Sequence, residues 1–105
     1  MIARIWRGEA TAENAPHYQD HATKRVFPAL AGLPGHRGAY LLRREAEGEV
    51  EFLAVTLWDN IDAVKAFAGA APDVAVVEPE ARAMLSRFDA FARHYDVLAP
   101  SWPAH

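Results

Sequence analysis

Two histidines in the first third of the chain have a spacing that could support chemistry. His17 and His21 are four residues apart, so on a helix both imidazoles would lie on one side, as in helical metal sites. No glutamate completes an HExxH pattern, and a third ligand would have to come from a remote position such as His94. Helical surfaces often carry such pairs, and we therefore expect no metal site.

The same histidines are candidate acid–base groups. Histidine changes its protonation state near neutral pH, so His17, His21 and His94 are the candidate catalytic residues if the protein has a reactive pocket. A structural explanation competes with this one. His94 and Tyr95 alternate on a predicted strand and face opposite ways, so one of them must meet the core or an interface as a satisfied buried polar residue.

Four aromatic residues are candidates for the walls of such a pocket: Trp6, Tyr40, Trp58 and Phe67. The first three lie on predicted strands, where aromatic side chains mostly fill cores. If two of them converge, they form a flat-sided pocket for a small aromatic ligand. Trp58 ends its strand, and it is either an anchor between strand and helix or a wall of the pocket.

The composition excludes several classes of function. The chain has 105 residues, enough for one domain, with 51% hydrophobic residues and a net charge of −3. No basic stripe is available to a nucleic acid. Cysteine is absent, which excludes disulfides, thiolate nucleophiles and iron–sulfur clusters. We find neither the apolar run of a signal peptide nor one that could span a membrane, and we expect a cytoplasmic protein without membrane contact.

Local patterns predict the elements that hold these residues. Pro16 favours the start of a helix, Gly48 indicates a hairpin turn, and Asp59 or Asn60 caps a later helix. The predicted elements are a strand at 2–8, a helix from about 16 to 31 with a kink at Pro28, a hairpin at 37–59, a helix at 61–68, a helix at 78–88, a strand at 91–99 and a proline-rich tail at 100–105.

This order of elements is the split βαβ, or ferredoxin-like, arrangement of an α+β protein. It consists of a four-stranded antiparallel sheet with helices on one face. The arrangement predicts one domain at 1–99, followed by the tail at 100–105.

Both faces of the third predicted strand are apolar. Side chains alternate between the two faces of a strand. Those that point one way are Phe52, Ala54, Thr56 and Trp58, and those that point the other way are Leu53, Val55 and Leu57. Because two helices cover only one face of a sheet, we expect a homodimer in which the second faces of two sheets meet.

The run FPALAGLPGHRGAYLLRR, followed by VEFLAVTLWDNIDAVKAFAG, is similar to the antibiotic biosynthesis monooxygenase family of dimeric α+β barrels. The specific features are the Pro-Gly between helix and strand, the strand that ends in Trp58 and the helix that contains Phe67. The likeness extends over about 2–98. It implies a homodimer with a pocket in each subunit between sheet and helices. It does not fix a reaction, because the family includes cofactor-free oxygenases of phenolic polyketides and haem-degrading enzymes.

The haem-degrading branch differs from this sequence at its signature positions. Those proteins bind iron through a histidine that follows a helix tryptophan, and they carry an asparagine on the first strand. Here Phe67 stands at the tryptophan, Val77 stands at the histidine, and residues 2–8 contain no asparagine. We therefore expect neither haem breakdown nor a bound cofactor.

The resemblance to cofactor-free oxygenases implies a small monooxygenase-like enzyme that acts on an aromatic or quinone-type compound. Such chemistry needs an acidic phenol, groups that stabilise its anion and a dry cavity that admits oxygen. No asparagine on a predicted strand matches the polar partner of those oxygenases, so catalysis itself stays undecided. The alternatives are a non-catalytic, ligand-binding or stress-associated homodimer and an isomerase of the same fold.

Overall fold

An antiparallel sheet covered by helical segments forms the described part of the chain, residues 1–99 and 101, in the computed structural model. In chain order the elements are β1 (Ile2–Thr11), α1 (Ala15–His21), a π-helical turn (Ala22–Val26), α2 (Phe27–Ala31), β2 (His36–Ala46), β3 (Glu49–Trp58), α3 (Ile61–Ala68), α4 (Pro79–Met84), β4 (Arg87–Phe88) and β5 (Arg93–Asp96). No helix within these residues is both long and apolar enough to cross a membrane. Most of the predicted tail lies outside the described residues.

The strand order is β2-β3-β1, and β4 and β5 share the remaining edge of β1. β1 pairs with β3 over its whole length, from Ile2 opposite Trp58 to Thr11 opposite Glu49. On its other edge it pairs with β4 at residues 8–9 and with β5 at residues 2–5. β4 and β5 together therefore occupy the place of the fourth strand, and the predicted ferredoxin-like α+β arrangement is confirmed.

The first predicted helix is divided in two. α1 and α2 are joined by the π-helical turn, in which the amide of Phe27 donates to the carbonyl of Ala22, five residues earlier. Pro28 has no amide hydrogen and its ring crowds the preceding turn. The wider turn accommodates this distortion immediately before the proline.

The helix predicted at 78–88 is shorter than expected and ends at Met84. Leu85 is extended, with φ −103° and ψ 138°, and the chain then pairs with β1 as β4. The open edge of β1 offers unpaired backbone groups, and the amide of Ser86 donates to the carbonyl of Glu9 at 2.8 Å. The strand predicted at 91–99 is likewise restricted to residues 93–96.

Two turns and one cap follow the sequence closely. Glu47 and Gly48 form the hairpin turn with φ values of 52° and 81°, as a two-residue turn of this kind requires. Gly35 has φ 81°, and a Cβ at this position would lie 2.6 Å from the Cβ of Ala63. Of the two candidate caps for α3, Asn60 is the one that caps: its Oδ1 accepts from the amide of Ala63 at 2.9 Å.

The helices cover one face of the sheet. Phe52 and Trp58 of β3 share a face, as the alternation on β3 predicts, and on the helix-covered side both are completely buried. The buried side chains form two clusters, of which the first contains Ala10, Ala15, Tyr18, Ala22, Val50, Phe52 and Ala81 and the second contains Leu30, Trp58 and Val64. The cavity described below takes its walls from both clusters.

The opposite face of the sheet is apolar and partly exposed. Strand pairing places Tyr40 beside Val55 and Leu42 beside Leu53 on this face. Tyr40 is 47% exposed and Leu42 is 49% exposed. A face of this composition departs from the polar pattern of a sheet surface that meets water.

One end of this open face is charged. Glu51 accepts from the Nε atoms of Arg44 at 2.8 Å and Arg7 at 2.6 Å. These hydrogen bonds, with that from Arg44 as the larger cause, lower the pKa of Glu51 to about 2. Arg87 in turn donates to Glu9 at 2.9 Å, so the charges form a continuous network beside the apolar residues.

Candidate functional site

A cavity of about 290 Å³ lies between the helix-covered face of the sheet and the helices. β1 and β3 form its floor, α1, the π-helical turn and α2 form one side, and the segment that leads into α4 forms another. Most of the lining side chains are hydrocarbon. The polar groups in the wall belong to Arg4, Tyr18, His21, Thr56 and Glu78.

Small residues in the sheet make room for the cavity. Ala54, in the middle of β3, contributes only a methyl group to the floor. Trp6 lies directly opposite on β1, but its ring extends over Gly8, where a Cβ would come within 2.9 Å of the ring. The indole N–H of Trp6 donates to the carbonyl of Asp89 at 2.8 Å. This bond holds the ring to one side, and the space above Ala54 stays open.

Phe67 forms an aromatic end of the cavity. Its ring stacks on Trp58 with centroids 5.5 Å apart and planes 20° from parallel. Trp58 is completely buried, and its Nε1 donates to the Oγ1 of Thr56 at 2.9 Å. Of the two roles predicted for Trp58, the anchor and the pocket wall, the structure therefore favours the anchor, because Trp58 supports the ring that forms the wall.

Arg4 is a buried cation in the wall. It is only 5% exposed, and its guanidinium carbon lies 5.8 Å from the centre of the Phe67 ring, a cation–π distance. Burial lowers the pKa of Arg4, and the nearby carboxylate of Asp73 opposes this shift. An arginine starts from so high a pKa that it keeps its charge. The cavity thus has one permanent positive charge beside its aromatic end.

His94 connects Arg4 to the segment at 72–77 that closes the cavity. Its Nε2 lies 2.9 Å from Nη1 of Arg4, and its Nδ1 lies 3.0 Å from Oδ1 of Asp73. Because a guanidinium can only donate, Nε2 is the acceptor and Nδ1 carries the hydrogen donated to Asp73. Arg4 also donates to the carbonyl of Val74 at 3.1 Å. Arg4 of β1, His94 and the segment at 72–77 are therefore held together by hydrogen bonds.

His21 presents an unpartnered imidazole to the cavity. Its side chain is 3% exposed, and neither ring nitrogen has a hydrogen-bond partner among the described residues. Nε2 lies 3.7 Å from a carboxylate oxygen of Glu78, and Nδ1 lies 3.6 Å from one of Glu80. These distances exceed those of hydrogen bonds. Both ring nitrogens are therefore buried without a hydrogen bond among the described residues, and a carboxylate lies just beyond hydrogen-bonding distance of each.

Tyr18 adds a neutral hydroxyl to the wall. Its ring packs against Phe52, with centroids 4.9 Å apart. Burial raises the pKa of Tyr18 to about 12. The phenol therefore stays protonated at neutral pH and can act only as a hydrogen-bonding group.

The structure brings some of the candidate site residues together and separates others. Trp6, His21 and Phe67 line the cavity. His94 stands behind Arg4 with both ring nitrogens engaged. His17 is exposed on α1, because it lies at the edge of the buried stripe that Ala15, Tyr18 and His21 form on this helix.

Tyr40 lies on the opposite face of the sheet. It borders a second hollow with Met1, Arg37 and Leu57. Strand pairing with Val55 determines this orientation, so Tyr40, a candidate wall residue in the sequence, does not line the cavity with Trp6.

Two polar wall residues were not anticipated from the sequence. Arg4 shares its side of β1 with Trp6, and a charged residue on the buried side of a strand is a signal of a buried ionic site. Glu78 is the first residue of the helix predicted at 78–88 and gives no such signal. Within residues 1–99 and 101, no three histidine, aspartate or glutamate side chains are arranged to hold a metal ion.

Comparison with known proteins agrees with this fold. The model of the family described as antibiotic biosynthesis monooxygenase matches residues 1–78. No curated protein matches the chain. A candidate antibiotic biosynthesis monooxygenase from Deinococcus radiodurans has a similar structure, with a TM-score of 0.61, 16% identity and coverage of 100% of both chains.

Haem-binding proteins also share the fold. MhuD from Mycobacterium tuberculosis, a haem degrader with two haems in its active site, has a TM-score of 0.63 at 20% identity, covering 97% of this chain and 100% of its own. A MhuD variant with two manganese protoporphyrin IX molecules per active site reaches 0.70 at 20% identity, covering 98% and 100%. At these identities the similarity shows the fold alone.

Proposed function

Because the chain belongs to the antibiotic biosynthesis monooxygenase family, we propose that it oxidises a small phenol or hydroquinone with molecular oxygen, without a bound cofactor, in the cavity above Ala54. The chain is a small monooxygenase-like protein; the substrate class and the cofactor independence are the proposal. The observation that carries it is the combination of a mostly hydrocarbon cavity with a buried cation, Arg4, and a free imidazole, His21.

The size and shape of the cavity suit a compact aromatic molecule. A volume of 290 Å³ is at the lower end of the range of small-molecule sites, roughly 300–1,000 Å³. Trp6 and Phe67 offer ring surfaces on which a planar ligand can stack. The hydroxyl of such a ligand would then find its polar partners at Arg4 and His21.

The proposed reaction needs no electrons from outside. When a phenol is converted to a quinone, one oxygen atom of O₂ becomes the new carbonyl, and the other leaves as water with the phenolic hydrogen and one ring hydrogen. The substrate supplies all four electrons. The protein has to ionise the phenol, stabilise the anion with the charge of Arg4 and keep water away from the reacting carbon.

Haem breakdown has less support in this chain. MhuD binds haem in its active site, but the two cavity positions that correspond to the signature residues of haem-degrading relatives hold Phe67 and Val77. Both side chains are hydrocarbon and cannot bind iron. The imidazole of His21 faces two carboxylates instead. The wall of this cavity therefore fits a phenol better than it fits haem.

The open face of the sheet supports a homodimer as part of the same proposal. Leu42, Leu53 and Val55 form an apolar surface on β2 and β3 that an isolated subunit leaves partly in water. A second copy packed face to face removes this surface from solvent. The cavity lies on the other side of the sheet, so that each subunit keeps its own site.

Oxygen uptake with a panel of phenols tests the reaction. The panel contains hydroquinone, naphthalene diols and, as matched controls, their dimethyl ethers, which have the same rings but cannot ionise. We expect uptake with the free phenols alone and one labelled oxygen atom in the product when labelled O₂ is supplied. A flat oxygen trace across the panel, with ligands that nevertheless bind, would instead support a non-catalytic ligand-binding protein.

A further inference from the structure

The imidazole of His21 is an unusual group to find in an apolar wall. Buried polar atoms in folded proteins almost always have a hydrogen-bond partner, yet neither Nδ1 nor Nε2 of His21 has one among the described residues. Leaving a buried group unpaired destabilises the folded protein. A wall residue that carries this cost is suited to bond a group that arrives with the ligand.

The surroundings of His21 are asymmetric. On one side is the hydrocarbon cavity. Next to its ring nitrogens are Glu78, which also lines the cavity, and Glu80, whose carboxylates lie 3.7 and 3.6 Å from Nε2 and Nδ1. Both glutamate side chains are more than half exposed, so the imidazole stands between a mostly hydrocarbon cavity and two carboxylates in contact with water.

The other two candidate histidines lack this placement. His17 is exposed and does not reach the cavity. His94 uses both ring nitrogens, one with Arg4 and one with Asp73. A proton could not reach its Nε2 without breaking the contact with Arg4.

We propose that His21 is the proton acceptor of the cavity and that Glu78 and Glu80 receive the proton from it. In the first step the O–H bond of the bound phenol breaks, a ring nitrogen of His21 forms the new N–H bond, and the electron pair stays on the phenolate oxygen. The resulting imidazolium lies within 4 Å of both carboxylates, which offset its charge. The proton then passes to a carboxylate and to water.

This assignment rests on the proposed function only in requiring that the cavity hold a phenol. The assignment adds to the proposed function a direction for the proton, which moves from the cavity through His21 to the protein surface beside α4. The remaining charged or titratable groups in the cavity wall are Arg4, which favours the phenolate, and the neutral Tyr18.

The test uses 4-nitrophenol, which is yellow only when ionised and which carries too little electron density to be oxidised readily. The wild-type protein is titrated with this probe at a pH at which the free phenol is mostly un-ionised. We expect bound 4-nitrophenol to turn yellow, and the ring-nitrogen NMR signals of His21 to change to those of an imidazolium. Both readouts are obtained on the wild type, so that the test does not depend on a variant that folds.

Variants then identify the residue that accepts the proton and the carboxylates that receive the proton from it. His21→Asn, with His21→Gln as a second version should the first fail to fold, is expected to bind the probe without colour. His17→Asn is the matched control on the same helix and keeps the colour. The double change Glu78→Gln with Glu80→Gln is expected to lower the ionisation constant of the bound probe about tenfold.

The outcomes separate this inference from the proposed reaction. Three outcomes would each overturn the role of His21. They are a colourless wild-type complex, no detectable binding of 4-nitrophenol up to its solubility limit, and colour that persists in a folded His21 variant. If bound 4-nitrophenol is ionised through His21 but no phenol in the panel consumes oxygen, the oxidation is refuted and the proton acceptor stands.

Discussion

The guanidinium carbon of Arg4 lies 5.8 Å from the ring centre of Phe67, which places the buried cation of the cavity against its aromatic end. Each partner is held from behind by a residue outside the wall. Trp58 stacks under Phe67, and His94 bonds to Arg4. The geometry of the site therefore depends on contacts behind the wall as well as on the residues of the wall.

The hydrogen bond between Trp58 and Thr56 is the first of these supports. Thr56→Val leaves the indole N–H buried without its acceptor, and we expect the free energy of unfolding to fall by about 1–3 kcal/mol in urea titrations. Thr56→Ser keeps a hydroxyl and serves as the control. Equal stability of the valine variant and the wild type would show that the bond contributes nothing.

The contact of His94 with Arg4 and Asp73 is the second support. His94→Phe removes both side-chain bonds, and we expect the segment at 72–77 to open more often. Hydrogen exchange at the amides of Ala75 and Ala92, which bond to the neighbouring backbone at 2.9 and 2.7 Å, should accelerate about tenfold, which corresponds to about 1.4 kcal/mol.

Tyr95→Phe is the control for this experiment, because Tyr95 neighbours His94 on β5 but faces the other side of the sheet. Unchanged exchange in His94→Phe, or equal acceleration in both variants, would mean that His94 does not hold the segment.

Glu51 should make stability depend on acid pH. Its pKa is about 2 in the folded protein against 4.5 for an ordinary glutamate, so the unfolded state binds the proton more readily. The stabilisation is complete above about pH 4.5 and is lost as the pH falls towards 2. In thermal unfolding between these values we expect Glu51→Gln to show a flatter pH dependence than wild type. Glu45→Gln, at an exposed position on β2, should keep the wild-type slope.

The apolar face of the sheet predicts the oligomeric state. We expect a dimeric mass in light scattering at micromolar concentration, and a monomeric mass for Leu42→Lys because a lysine on this face would have to be buried in the contact. Ile61→Lys places the same residue on α3, away from this face, and should leave the mass unchanged. A monomeric wild type would overturn the homodimer.

The fold was accessible from the sequence because local and global signals agree. The alternation from Phe52 to Trp58, the turn at Gly48 and the cap at Asn60 each fix an element that the sheet then uses. The errors arose where tertiary contacts outweighed local preference. Residues 85–88 have a helical pattern, yet they complete the edge of β1 because that edge offers unpaired backbone groups.

The site was less accessible, for a physical reason. His17 and His21 look equivalent in the sequence, and only the packing of α1 on the sheet makes one exposed and the other buried. Trp58 and Phe67 were both candidate walls, but which ring covers the other depends on how α3 lies against β3. The cavity exists because the side chain of Ala54 is small. A small residue in a strand does not by itself indicate a cavity in the sequence.

Oxygen uptake by a variant with a filled cavity is the most direct test of oxidation at this site. Ala54→Leu adds volume to the floor, whereas Ala66→Leu makes the same change at an exposed position of α3. With a phenol that the wild type oxidises, we expect Ala66→Leu to match the wild-type rate and Ala54→Leu to lose about tenfold or more. A folded Ala54→Leu variant with the full rate, or a wild type with no uptake on any phenol, would contradict oxidation in this cavity.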